Sequence, residues 1–246
     1  MQRKEFITLL GSGLLGSSLF SYNRTIQEHL FTQQELMGIE VTTLRNTSAY
    51  RLRTQAAEAF ENMRQAAKKE AGIHIHVVSS FRDFDHQNRI WARKYNRFSS
   101  QGLSPLDAIH KIIEYSTIPG TSRHHWGTDI DLIDLNTDQP KDVLQTVHFD
   151  ENGPFCKLRE WLENRATDFG FYIVYTNEKN RKGFKYEPWH YSYAPISKSM
   201  LEAYRKLPLR EILQELRVVG SLHINSDFIQ KYINENILDI NPVLLA

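Results

Sequence analysis

The feature that most constrains what this chain can fold into is an abrupt change of hydrophobic period at Gly72. Before it, residues 48–69 (SAYRLRTQAAEAFENMRQAAKK) place Leu52, Ala56, Ala59, Phe60 and Met63 at helical spacing among good helix formers. After it, Ile73, Ile75 and Val77 alternate with His74 and His76, the pattern of a strand with one buried face. A long amphipathic helix thus runs straight into a strand, and the mixture continues. Residues 85–97 and 105–115 read as helices, the second with Ser104 as N-cap and Pro105 in the first turn. Residues 128–135 (TDIDLIDL) read as a short strand, 154–169 as a helix stopping at Gly170, and 171–175 (FYIVY) as another strand. Residues 185–193 (KYEPWHYSY) form a third strand candidate, and Pro188 within it suits an edge or a bend. The pattern predicts one α+β domain over residues 23–196 and a helical C-terminal extension over 197–246.

The first 22 residues read as an address. Arg3 and Lys4 precede a weakly apolar run of 14 residues, 7–20, too short for a comfortable membrane span and too rich in Gly and Ser for a core helix. Export to the periplasm or cell envelope is the expectation, with no stable membrane insertion once the signal is removed. Arg3-Lys4 followed by Phe6 resembles a twin-arginine signal with Lys in the second position. Thirty basic against 29 acidic residues exclude general attraction to nucleic acid. One cysteine, Cys156, excludes an intrachain disulfide framework and any cysteine-cluster metal site, and its place opening a helix predicts a small core residue. Ten histidines remain for chemistry.

Their spacing is informative in residues 122–131 (SRHHWGTDID). A borderline cation such as zinc takes imidazole nitrogen and carboxylate oxygen, usually three protein ligands with a fourth position open. Gly127 lets the chain bend between a histidine in a loop and a carboxylate on the following strand. Asp129 and Asp131, two apart, face the same side of that strand, so spacing alone leaves either able to ligate. His190 is the best third candidate, with Glu187 three residues before it. In a regular strand those two side chains diverge, so their convergence requires Pro188 or a bulge to twist the backbone. If they converge, Glu187 stands beside the cation without ligating it and can take a proton from an activated water, the arrangement for amide hydrolysis.

At this point the residues resemble a known family, the zinc D-alanyl-D-alanine carboxypeptidases and dipeptidases of the VanY and VanX type. Ser122, His124, Gly127 and Asp131 fill its first motif, Glu187, Trp189 and His190 its second, and Ser79-Ser80-Phe81-Arg82 with Gln87 its upstream stretch. The resemblance covers roughly residues 50–195. It implies a small antiparallel sheet flanked by helices, of the Hedgehog/D-Ala-D-Ala peptidase-like type, and one zinc ion per chain. It also implies His124, Asp131 and His190 as zinc ligands, Glu187 as general base and proton shuttle, and Arg82 as the cation facing the scissile carbonyl oxygen. Ser122, with Ser80 or Gln87, is similar to the residues that hold the substrate's free carboxylate. The implied partners are peptidoglycan stem peptides. Asp129 departs from the family, whose better-known members have a small residue there; it reads as a partner orienting an imidazole or an arginine. His125, Trp126 and Trp189 read as wall and packing residues, and His74 and His76 as polar positions on a strand face. The alternatives are a related zinc peptidase of L,D-carboxypeptidase, D,D-dipeptidase or endopeptidase specificity, and a wall-peptide-binding module without turnover.

Overall fold

The helical stripe begins later than its composition predicts, and hydrogen bonding explains why. In the computed structural model, which describes residues 31–245 apart from Thr42, helix α1 spans Thr54–Ala71. The export segment 1–22 lies outside the described residues. Ahead of α1, β1 (Leu44–Asn46) and β2 (Arg51–Arg53) form an antiparallel hairpin that the sequence did not announce. The Thr47 hydroxyl closes its turn by accepting from the Ala49 and Tyr50 N–H groups at 3.2 and 2.9 Å. The Arg53 N–H donates to the Gly127 carbonyl at 2.8 Å, so the backbone of residues 51–53 is committed to partners outside the helix.

Four further strands make an antiparallel sheet in the order β3-β4-β6-β5, with β3 at Ile75–Ser79, β4 at Asp129–Asp134, β5 at Phe171–Ile173 and β6 at His190–Tyr193. One face of the sheet packs on α1. Ala56, Phe60, Met63 and Ala67 of the helix meet Ile75, Val77, Ile130, Leu132 and Tyr191 of the strands. Leu158, Trp161 and Leu162 of α4 (Cys156–Arg165) close the same core. Helix, strand and sheet each bury one apolar face against another, the condition the period change imposed.

The strand expected over 185–193 needs correction. Its last four residues enter the ladder, and β6 is interior, paired with β4 on one side and β5 on the other. Pro188, which has no N–H to donate, lies ahead of the ladder in a turn closed by His190 N–H to Glu187 C=O at 3.1 Å. Cys156 also departs from expectation: it is half-buried at the start of α4, its thiol 3.4 Å from Glu160 Oε1. Elsewhere the predicted helices form, α2 at Phe84–Ser100 and α3 at Pro105–Ile113, with Asp83 and Ser104 as their N-caps.

Beyond β6 the chain continues without a break into α5 (Ala194–Tyr204), then α6 (Leu209–Glu215) and α7 (Ser226–Tyr232). These helices return to the domain. Tyr204 donates its hydroxyl proton to the Gly120 carbonyl at 2.7 Å, and the Tyr232 hydroxyl accepts from Ile118 N–H at 3.2 Å. Asn241 donates to the Ile173 and Val174 carbonyls at the end of β5. No helix among the described residues is long and apolar enough to cross a membrane.

Candidate metal centre and catalytic cleft

Every residue of β4 is buried, and period two explains the consequence. Ile130 and Leu132 point into the core, so Asp129 and Asp131 point to the opposite face, where a buried carboxylate needs partners. Asp131 stands directly across the ladder from His190, and Asp129 across from Ser192. Cross-strand neighbours share a face at about 5 Å, so the sheet itself delivers one carboxylate and one imidazole to the same place.

His124 arrives from the other direction. It lies in a 3-10 turn, Arg123–Trp126, that ends at Gly127 with φ +67°, a left-handed backbone that turns the chain into β4. A Cβ on Gly127 would come within 2.6 Å of Leu44 Cδ2, so the β1–β2 hairpin presses on the turn from outside. His124 Nε2 lies 3.4 Å from Asp131 Oδ2. Candidate ligand atoms of His124, Asp131 and His190 all fall within 4.8 Å of one another, and all three residues are buried.

The turn ahead of β6 meets the demand that spacing alone could not. Glu187 and His190 converge, with Glu187 Oε2 3.0 Å from His190 Nδ1. His190 Nε2 donates to Asp129 Oδ1 at 3.1 Å, which leaves Nδ1 as the atom facing Asp131 and Glu187. His124 donates from Nδ1 to the Ser80 carbonyl at 2.9 Å, leaving Nε2 on the Asp131 side. Each imidazole therefore has one nitrogen anchored by a hydrogen bond and the other aimed at the shared space, the way proteins fix the tautomer of a metal-binding histidine.

The donor set fits a divalent cation on a further count. Asp131 Oδ1 is buried and has no hydrogen-bond partner, an expense that native structures rarely leave without a purpose. Formal charges point the same way: Asp129 faces Arg123, with Nε to Oδ1 at 2.9 Å, and the pair cancels. Once His190 has lost its proton, Asp131 and Glu187 against Arg82 leave one net negative charge at the cleft, which a divalent ion would overcompensate into an electrophilic centre.

Protonation follows from these contacts. Burial pushes His190 down, but hydrogen bonds to Asp129 and Glu187 and the charge of Asp131 outweigh it and lift the imidazole to about 10. A proton and a cation would thus compete for Nδ1. Burial would raise both Asp129 and Asp131; the Arg123 guanidinium holds Asp129 well below the usual carboxylate range, and the His124 ring lowers Asp131.

Around this centre lies a cleft of about 360 Å³ whose walls include Arg82, Gln87, Ser122, His124, Asp131, Glu187 and His190, all anticipated from the sequence. Ser80 is not among them: its hydroxyl turns outward to accept from Arg51 N–H at 3.0 Å. Ser79 lines the cleft in its place and accepts from Arg82 Nη2 at 3.1 Å. The β3–β4 register shifts between Val77 and Ser79, and such a bulge re-aims the end of the strand. No residue pattern marks a bulge in advance. Gln87 holds Arg82 rather than standing free, its Oε1 accepting from Arg82 Nη1 at 2.8 Å and its Nε2 donating to the Thr117 carbonyl at 2.8 Å.

Asp129 orients both groups weighed for it. Its carboxylate accepts from Arg123 and His190, and from the Thr128 and Ser192 hydroxyls at 2.7 and 2.9 Å. His125 is fully buried and turned away from the centre, between Gly120 N–H and the Arg82 carbonyl. Tyr115, Tyr175 and Phe184 also line the cleft, and sequence reading passed over all three because isolated aromatics carry no spacing signal.

Known proteins are similar to this chain in sequence and fold. Putative carboxypeptidase YodJ of Bacillus subtilis is 26% identical over 171 residues, 68% of this chain and 55% of that protein. A D-alanyl-D-alanine carboxypeptidase of Enterococcus faecalis is 27% identical over 148 residues, 60% of this chain and 50% of that protein. The chain thus spans about half the length of these relatives. Among solved structures, VanYB in complex with D-alanine-D-alanine aligns with a TM-score of 0.50 at 22% identity, over 71% of this chain and 90% of that one. The LdcB LD-carboxypeptidase aligns with a TM-score of 0.51 at 24% identity, over 71% and 78%. These likenesses establish a common α+β fold. The VanY D-alanyl-D-alanine carboxypeptidase family model matches residues 49–196, which hold the four-stranded sheet and the cleft just described, and the chain belongs to that family.

Proposed function

We propose that this chain is a zinc-dependent carboxypeptidase that removes the C-terminal D-alanine from peptidoglycan stem peptides. The observation that carries the reading is the convergence of His124, Asp131 and His190 beside Glu187 and Arg82 on one cleft. Zinc held by His124 Nε2, an Asp131 carboxylate oxygen and His190 Nδ1 would supply Lewis acidity, lowering the pKa of water to near 7 and polarising a carbonyl.

The chain's own residues do the rest. Glu187 Oε2, 3.0 Å from His190 Nδ1, is placed to act as the base for an attacking water, and with His190 Nδ1 committed to a cation that carboxylate oxygen would be free to do so. Its side chain is 31% exposed to the cleft, so the same carboxyl can hand the proton to the leaving amine. Arg82, braced by Ser79 and Gln87 on the cleft wall, supplies the positive charge that would stabilise the oxyanion developing on the scissile carbonyl. Ser122 lies on the wall where a terminal carboxylate would bind. The export signal read in residues 1–22 supports a reaction on wall peptides outside the cytoplasm; cell fractionation and N-terminal sequencing of the mature chain test that location.

The test of the activity is mass spectrometry of a stem pentapeptide ending in D-Ala-D-Ala and of the corresponding tetrapeptide. Loss of one D-alanine from the pentapeptide, abolished by a chelator and restored by zinc, is the expected result. Glu187→Ala should retain the metal and lose about 100- to 10,000-fold in turnover. Cleavage of the tetrapeptide alone would move the specificity to L,D-carboxypeptidase, and release of the intact dipeptide to D,D-dipeptidase. Hydrolysis that survives both chelation and Glu187→Ala would sink the mechanism.

A further inference from the structure

A second cavity, of about 340 Å³, adjoins the cleft. Tyr115 lines both, and Phe184 of the cleft is flanked in sequence by Gly183 and Lys185 of the second cavity. Its lining comes in part from α3 and the residues after it and in part from Phe228, Tyr232 and neighbouring residues of the C-terminal extension, outside the region matched by the family.

Three lysines and two glutamates line it among aromatic and apolar side chains, and Glu114 is already paired with Lys111 at 2.8 Å. Phe228 and Tyr232 stack with ring centroids 6.4 Å apart and planes 8° from parallel. Lys182, Lys185 and Lys231 all reach the cavity. Lys231 lies 3.9 Å from Glu235, whereas among the described residues no carboxylate lies within ion-pair distance of Lys182 or Lys185. Lys185 instead donates to the Tyr115 hydroxyl at 3.2 Å and sits over that ring, at the junction of the two cavities.

The segment carrying these lysines is held before any ligand arrives. Asp239 accepts from the Lys182 and Gly183 backbone N–H groups at 2.5 and 2.8 Å. Arg181 donates to the Asp239, Thr176 and Phe184 carbonyls. A Cβ on Gly183 would stand 1.8 Å from the Glu235 carbonyl oxygen, so backbone packs on backbone there. Two cations without acid partners, presented from a fixed loop beside a reactive cleft, make a preorganised anion site.

We infer that this cavity is a substrate subsite, in which Lys182 and Lys185 bind a carboxylate of the stem peptide other than its terminal one. The subsite rests on the peptidase reading above and deepens it. The extension thereby becomes a specificity element, supplying part of the pocket's lining.

The test uses two synthetic stem pentapeptides ending in D-Ala-D-Ala, one with its internal carboxylates free and one with them amidated. Each is assayed for D-alanine release and for equilibrium binding by calorimetry, with the wild-type chain and with the Lys182→Gln/Lys185→Gln double variant. Wild type should favour the free-acid peptide by roughly three- to tenfold in KM and Kd, as two exposed ion pairs give, with kcat unchanged. The double variant should bind both peptides alike while keeping wild-type kcat and thermal stability. Equal affinity of wild type for the two peptides, or discrimination that persists in the double variant, overturns the subsite. Failure of wild type to hydrolyse either peptide defeats the peptidase reading instead, and calorimetry still reports on the subsite.

Discussion

His125 offers a stability test whose size can be worked from the structure. Its Nε2 accepts from Gly120 N–H at 3.0 Å, so the hydrogen resides on Nδ1, which donates to the Arg82 carbonyl at 2.6 Å. Burial, reinforced by the charge of Arg82, pushes this imidazole from 6.5 down to about 4. A protonated ring would also point Nε2–H at Gly120 N–H, donor against donor. The sign follows from linkage: between pH 6.5 and 4 the unfolded chain takes up a proton that the folded chain refuses. His125 therefore contributes stability that is fully present above pH 6.5 and is lost as pH falls toward 4. At about 1.4 kcal/mol per unit, the loss is about 3 kcal/mol. The perturbation is His125→Asn, which keeps a donor near the Arg82 carbonyl and removes the titration. Urea unfolding of both proteins in chelator, at steps from pH 7.5 to 4, gives the difference in unfolding free energy. That difference should favour wild type at pH 7.5 and shrink by about 3 kcal/mol on acidification, because the Asp and Glu contributions common to both proteins cancel. A difference that stays constant across the range would refute the assignment of His125 as a neutral buried ring.

Three other substitutions probe separate layers of the structure. Asp129→Asn removes the charge facing buried Arg123 and weakens the hold on His190 Nε2, so zinc affinity measured by competition with a chromophoric chelator should fall about 10- to 100-fold. The same variant in its metal-free form should be destabilised by roughly 3 kcal/mol or more in urea, since a broken buried pair leaves a charge uncompensated. Asp239→Ala frees the Lys182 and Gly183 amides, and hydrogen exchange of residues 177–187 should accelerate at least tenfold by our estimate while α1 is unaffected; unchanged exchange there would show that the extension does not brace the loop. Phe60→Ala empties the contact between α1 and the sheet, where Phe60 is 1% exposed and meets Tyr50 edge-on at 5.3 Å, and should cost about 3–5 kcal/mol in denaturant unfolding.

The chain's own residues determined the α+β class, the positions of α2 and α3, and the candidates for the centre. Period, caps and motif spacing are local properties, and a histidine seven residues before an aspartate is visible without coordinates. They also left questions that spacing has no means to answer. Asp129 and Asp131 share a strand face and were equivalent by sequence; the ladder separated them, seating Asp131 opposite His190 and Asp129 opposite Ser192 with Arg123 beneath it. Ser79 and Ser80 are chemically identical, and the bulge at the end of β3 decided which of them enters the cleft. Pro188 announced an interruption, yet whether its strand lay at an edge or inside the sheet depended on β5 arriving from residues 171–173. The C-terminal helices carry no motif at all, and their hold on the Gly120 turn and the Lys182 loop arises from hydroxyls and a carboxylate that act across more than fifty residues of chain. Those decisions are tertiary because each depends on which distant backbone groups are already paired, and no local pattern contains that information.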